Sequence, residues 1–178
     1  RSSDLIIDKE VFWWMRNQVA LAHIAKYKHN PNYLSSVEIK VKPEYLFSDI
    51  KSAIKHADFV LLNVPAAFLK ESFENITAED LKGKKIISAI KGIVPDENQI
   101  IGEFMHDKYG IPFSDIIVIS GPCHAEEVAL ERLSYLTVAS KNKENNIRLS
   151  ALMSCRYIRI TESDDVYGTE YSAVMKNI

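Results

Sequence analysis

Ile116, Ile117, Val118 and Ile119 follow one another with no polar residue between them. A half-exposed strand would alternate, and an amphipathic helix would space its apolar residues three and four apart. Four β-branched residues in a row suit a strand buried on both faces, as in a parallel sheet covered by helices. Ser120, Gly121 and Pro122 end the run, and a segment over 123–128 follows with Glu126 and Glu127 near its start, where a helix macrodipole favours negative charge. A strand that ends in a small-residue turn puts backbone groups at the carboxyl edge of its sheet. Open α/β folds bind ligands at that edge.

The rest of the chain repeats the pattern. Residues 10–15 (EVFWWM), 44–47, 59–64 (FVLLNV), 86–90 (IISAI), 134–139 (SYLTVA) and 157–160 read as strands. Helices are expected over 20–28, 50–56 with Ser48-Asp49 as its cap, 66–73 after Pro65, 95–109 with Pro95-Asp96-Glu97 at its start, and 144–153. The last helix starts at Asp164 or Asp165. Strands and helices in alternation with short connections imply an α/β fold built on a doubly wound, mostly parallel sheet.

Length and composition bound what such a chain does. Its 178 residues suit one domain, or one domain and the beginning of another, and 47% hydrophobic content allows a sizeable core. A formal net charge of -2 gives no global basic field for nucleic acid or an anionic membrane. No apolar run approaches the roughly 18 residues that would cross a bilayer, and residues 1–8 (RSSDLIID) lack the zones of a signal peptide. Cys123 and Cys155 make neither a disulfide framework nor a metal motif, so no metal and a cytoplasmic setting are expected.

Read as chemistry, the strand ends matter most. Residues 86–90 deliver Lys91-Gly92 to the same sheet edge as Gly121, whose missing side chain lets backbone approach a ligand. Lysines are mostly surface residues, so Lys91 and Lys176 read equally well as solvated. Cys123 and His124 are adjacent, and adjacent side chains do not normally converge as a nucleophile and its base. His23, His29, His56 and His106 show no ligand spacing.

Three stretches carry a resemblance to a known family. Ser120 to Val128 (SGPCHAEEV) is similar to the Ser-Gly-Pro-Ser-Phe-Ala-Glu-Glu-Val signature of NAD(P)-dependent glycerol-3-phosphate dehydrogenase, and residues 87–92 (ISAIKG) and 167–177 (YGTEYSAVMKN) agree with it in order and rough spacing. The resemblance implies a Rossmann-like domain over 1–162 and, over 163–178, the first helix of a C-terminal all-helical substrate domain. It implies NAD or NADP as cofactor, a small-molecule substrate (glycerol 3-phosphate or dihydroxyacetone phosphate), a place in the synthesis of glycerophospholipid precursors, and a possible homodimer.

The same resemblance assigns site residues. Lys176 becomes the acid/base, followed by Asn177 as in the family's Lys-Asn pair. Lys91 lies beside nicotinamide and substrate, while Gly121 and Cys123 contact substrate and Ala125 the cofactor. Arg16, at the end of the second family strand, suits the 2'-phosphate of NADP. Tyr33 in HNPNYL falls on the adenine side, and Phe68 of Val-Pro-x-x-Phe packs near the cofactor; a packed surface tyrosine and a core contact for Phe68 stay open as alternatives. Cys123 stands where the family has Ser, Thr or Asn, and a thiol is a poorer donor. The six glycines make no GxGxxG, and the family's later phosphate-binding residues have no counterpart here. The expectation is thus the middle of a family member. A catalytically silent nucleotide-binding or interaction module, and a hydroxy-acid dehydrogenase of the 6-phosphogluconate type, are the alternatives.

Overall fold

The computed structural model describes residues 10–176. Five strands form the main sheet in the order β3 (Phe59–Leu62), β4 (Lys85–Ser88), β5 (Ile116–Ser120), β6 (Ser134–Ser140) and β7 (Ile158–Ser163). All neighbours are parallel except β5 and β6, where Ile117 pairs with Ser140 and Ser120 with Thr137. The sheet is mostly parallel, as the alternation implies.

Successive side chains of a strand point to opposite faces, and this sets the layers. Ile86, Ile116 and Val118 join a large apolar cluster with Ile54 of α2 (Ile50–His56), Leu69 of α3 (Leu69–Ser72), Phe104 and Met105 of α4 (Ile101–Tyr109) and Val166 of α7 (Val166–Met175). Ile87, Ile117 and Val138 pack the other way, with Leu149, Leu152 and Met153 of α6 (Lys143–Met153). Helices therefore cover both faces, which is why the strand at 116–119 tolerates no polar alternation. Val166 shares the main cluster, so the segment expected to open a second domain packs on the sheet.

A separate two-stranded parallel ladder joins β1 (Trp13–Trp14) to β2 (Leu46–Phe47), with α1 (Gln18–Tyr27) after β1. Among the described residues no strand pairs with both sheets. Aromatic packing holds the ladder to α2, with the rings of Phe12 and His56 stacked at 5.3 Å and those of Phe47 and His56 at 5.6 Å.

Three expectations are corrected. The strand over 10–15 shrinks to two residues, because its only partner among the described residues is the equally short β2. The helix expected from Pro95 starts at Ile101: Val94 bridges to Gln99, and Asp96 (φ 69°) and Asn98 (φ 53°) turn left-handed between them. Asp and Asn are the residue types that tolerate this best. The helix expected over 66–73 is a 3-10 turn, Ala66–Phe68, running into the four residues of α3.

Candidate functional site

The carboxyl ends of β4 and β5 carry Lys91-Gly92 and the turn from Gly121 to Ala125. Gly121 sits at φ 145°, and a Cβ there would lie 2.5 Å from the Tyr135 carbonyl oxygen. No other residue type fits this bend between β5 and β6. The Cys123 N–H donates to the Gly121 carbonyl at 2.9 Å, which closes the turn. Ala125 is the first residue of α5 (Ala125–Ala129), and His124 caps that helix without a side-chain bond.

An open cleft of about 330 Å³ adjoins this turn, lined by Ser120 and Thr137 of one cross-strand pair, Ser163, and the Asp165, Thr169 and Ser172 stripe of α7. Its lining offers hydroxyls and one carboxylate, with no cation. Asp165 caps α7 by accepting from the Gly168 N–H at 2.8 Å. Helical periodicity puts Lys176 on the stripe of Asp165, Thr169 and Ser172, one turn beyond Ser172, whose carbonyl accepts from the Lys176 N–H at 3.2 Å. Lys176 and Lys91 are both exposed. Desolvation of the Lys176 ammonium is therefore not supplied by the fold. Asn177 lies outside the described residues.

The residues assigned to the nucleotide fall in two contacts. The Arg16 guanidinium lies 3.9 Å above the Phe68 ring and 3.6 Å from Glu71, so the end of β1 meets the turn after β3. That turn also adjoins the lysine loop: a Cβ on Gly92 would stand 3.2 Å from the Ala66 Cβ. The Tyr33 hydroxyl donates to Glu126 Oε1 at 2.7 Å, which ties the loop after α1 to the first turn of α5. This bond holds the Glu126 carboxyl below the usual carboxylate range and raises the Tyr33 hydroxyl.

Two features escaped the sequence reading. Glu126 read only as helix-start acidity, and its partner is 93 residues away. Glu170 is fully buried at 0% exposure although mid-helix glutamates are ordinarily solvated. Ser172, four residues before Lys176, was legible by helical spacing had the cleft been foreseen. Among the described residues no cluster of His, Cys, Asp or Glu is arranged to hold a metal, and no helix is long and apolar enough to cross a membrane.

A nicotinamide dinucleotide fits part of this edge. Arg16 and Phe68 offer a cation and a ring face at one end, and Gly121 a bare backbone at the other. For the pyrophosphate the sequence has no glycine-rich cradle.

The glycerol-3-phosphate dehydrogenases (NAD(P)+) of Oceanobacillus iheyensis and Ectopseudomonas mendocina are 30% and 28% identical to the chain, over 95% and 96% of it. The chain spans about half of their length, 48% and 49%. A structure named DsGPDH, from Dunaliella salina, superimposes with a TM-score of 0.79 at 28% identity, over 91% of this chain and 28% of that one. Residues 5–146 match the family model described as the NAD-dependent glycerol-3-phosphate dehydrogenase N-terminus, and the chain belongs to that family.

Proposed function

We propose that this chain is the nucleotide-binding part of an NAD(P)-dependent glycerol-3-phosphate dehydrogenase, which interconverts glycerol 3-phosphate and dihydroxyacetone phosphate. The observation that carries the reading is the cleft that the Gly121 turn shares with the Asp165, Thr169 and Ser172 stripe of α7, at the end of the strand that neighbours β4 in parallel.

The nicotinamide, when bound, accepts or donates the hydride at substrate C2. Lys176 exchanges the proton of the C2 hydroxyl, and Lys91 orients the substrate and stabilises negative charge on its oxygen. Lys176 is exposed in the protein alone, and bound substrate shields its amine from bulk water. Gly121 lets the chain approach the substrate; Cys123 contacts it weakly if at all, a thiol being a poor donor. Arg16 and Tyr33 meet the adenosine end, Arg16 favouring a 2'-phosphate, and Phe68 and Ala125 pack beside the cofactor.

In the setting we propose, this chemistry serves glycerophospholipid synthesis in a cytoplasm that keeps Cys123 and Cys155 reduced, with a homodimer as the working form. A second, helical domain would begin near residue 163 and bind the phosphate.

The test is a titration with NADH and with NADPH, read by quenching of Trp13 and Trp14, followed by reduction of dihydroxyacetone phosphate. Saturable binding, tighter for NADPH, and turnover abolished by Lys176→Ala with cofactor affinity kept are expected. Full activity in that variant removes Lys176 from the reaction. No binding of either cofactor by the folded chain favours the silent module.

A further inference from the structure

Glu170 is a buried carboxylate that the proposed reaction does not use. It lies on α7, and its side chain reaches two other elements. Oε1 accepts from the Ser88 hydroxyl at the end of β4 at 2.8 Å, and Oε2 accepts from the Gly102 N–H in the first turn of α4 at 3.1 Å.

Two features show that the position is built. Ile100, at the cap position of α4, offers no side-chain acceptor, so the first amides of that helix depend on Glu170. Gly102 leaves the room for it: a Cβ there would stand 3.1 Å from Oε2 and 3.4 Å from the Ile116 side chain. Burial pushes the Glu170 carboxyl above the usual carboxylate range, with the Glu103 charge adding to this, while the Ser88, Gly102 and Ile101 donors oppose it. No cation is among the groups that hold it.

Two of the three elements joined by this side chain, β4 and α7, lead to the lysines. Ser88 is three residues before Lys91, and Glu170 is six residues, under two helical turns, before Lys176. We propose that Glu170 is a positioning residue: it fixes α7 against the ends of β4 and α4, and so sets Lys176 relative to Lys91. The inference rests on the proposed roles of those two lysines. It adds a residue that touches neither substrate nor cofactor and yet controls the geometry of proton transfer.

The experiment compares Glu170→Ala, Glu170→Gln and Leu81→Ala, the last a fully buried core residue that serves as a stability control. Turnover of dihydroxyacetone phosphate and the ¹³C resonances of reductively methylated Lys91 and Lys176, identified by Lys→Arg variants, are the two readouts. Glu170→Ala is expected to lower kcat about 100-fold with KM for the cofactor nearly unchanged, since misplacement of order 1 Å costs this much. It is also expected to move the Lys176 resonance.

Glu170→Gln keeps an acceptor for Gly102 and a partner for Ser88, and is expected to rescue kcat to within about threefold. Leu81→Ala is expected to lose stability with kcat kept. If Glu170→Ala proves folded with kcat near wild type, or if its Lys176 resonance stays put, the positioning role is overturned. Should that variant not fold, Ser88→Ala, which removes only the bond to β4, is read by the same two measures. Absence of saturable NADH and NADPH binding by the wild-type chain would sink the proposed function alone. The Lys176 resonance would still judge the positioning.

Discussion

Gly121 is the residue on which the proposed site most depends, for a reason separate from chemistry. At φ 145° its backbone is open only to glycine, and the Tyr135 carbonyl oxygen, 2.5 Å from where a Cβ would be, blocks relaxation from the side of β6. Gly121→Ala is expected to cost about 3 kcal/mol, strain and overlap together. Urea denaturation measures it, and a loss under about 1 kcal/mol would show that the turn rearranges cheaply. This residue was legible in the sequence, because a glycine ending a buried strand has few other reasons to be there. Lys91 was expected directly after a strand, and it lies three residues beyond the end of β4 at Ser88. Glu170 was not legible: nothing in YGTEYSAVMKN distinguishes a glutamate that caps a neighbouring helix from one in solvent. The difference lies in Gly102 and Ser88, which are remote in sequence.

At the scale of elements, the strands of the main sheet were readable because burial on both faces leaves unbroken apolar runs. Their directions were not. A strand's composition carries no arrow, and the antiparallel turn from β5 into β6 depends on the short α5 between them. The helix expected from Pro95 failed because the backbone turns back between Val94 and its bridge partner Gln99 through left-handed Asp96 and Asn98; the pairs of Asp96 and Glu97 with Lys70, at 3.8 and 2.9 Å, are exposed and add little. Another short loop ties α2 to the approach of β4. Asp80 accepts from the Thr77 N–H and hydroxyl, each at 2.8 Å, and pairs with Lys51 of α2 at 3.1 Å. The Thr77 bonds first, then Lys51, lower its carboxyl to about 2. A lowered folded-state value means that this contribution is complete above the ordinary aspartate range and is lost as pH falls through about 2. Asp80→Asn is therefore expected to be less stable than wild type at neutral pH, with the gap closing as pH falls below about 4. Denaturation midpoints across that range give the comparison. A gap independent of pH would mean that Asp80 acts by shape and not by charge.

For the whole molecule the division into two sheets matters most. Among the described residues, neither apolar cluster that covers the main sheet includes one before Ile50, and burial in 10–49 is confined to Ala20, Leu21 and Ile24 of α1. Among the described residues, the β1–α1–β2 part is held to the rest by aromatic packing on His56 and by a few polar contacts: Arg16 with Phe68 and Glu71, and Tyr33 with Glu126. Contacts of this exposed kind stabilise weakly, so local opening of this part should precede global unfolding. Amide exchange is expected to be faster in α1 and the β1–β2 ladder than in β4 and β5. Arg16 and Tyr33, which make two of the linking contacts, are also proposed to meet the cofactor, and a ligand that bridges the two parts stabilises their docked state by mass action. Saturating NADPH should then slow exchange in α1 and around Tyr33 while leaving the amides of β5 almost unchanged. Equal exchange in both parts of the free protein would refute the division. Different exchange that NADPH leaves untouched would keep the division and take Arg16 and Tyr33 out of the nucleotide site.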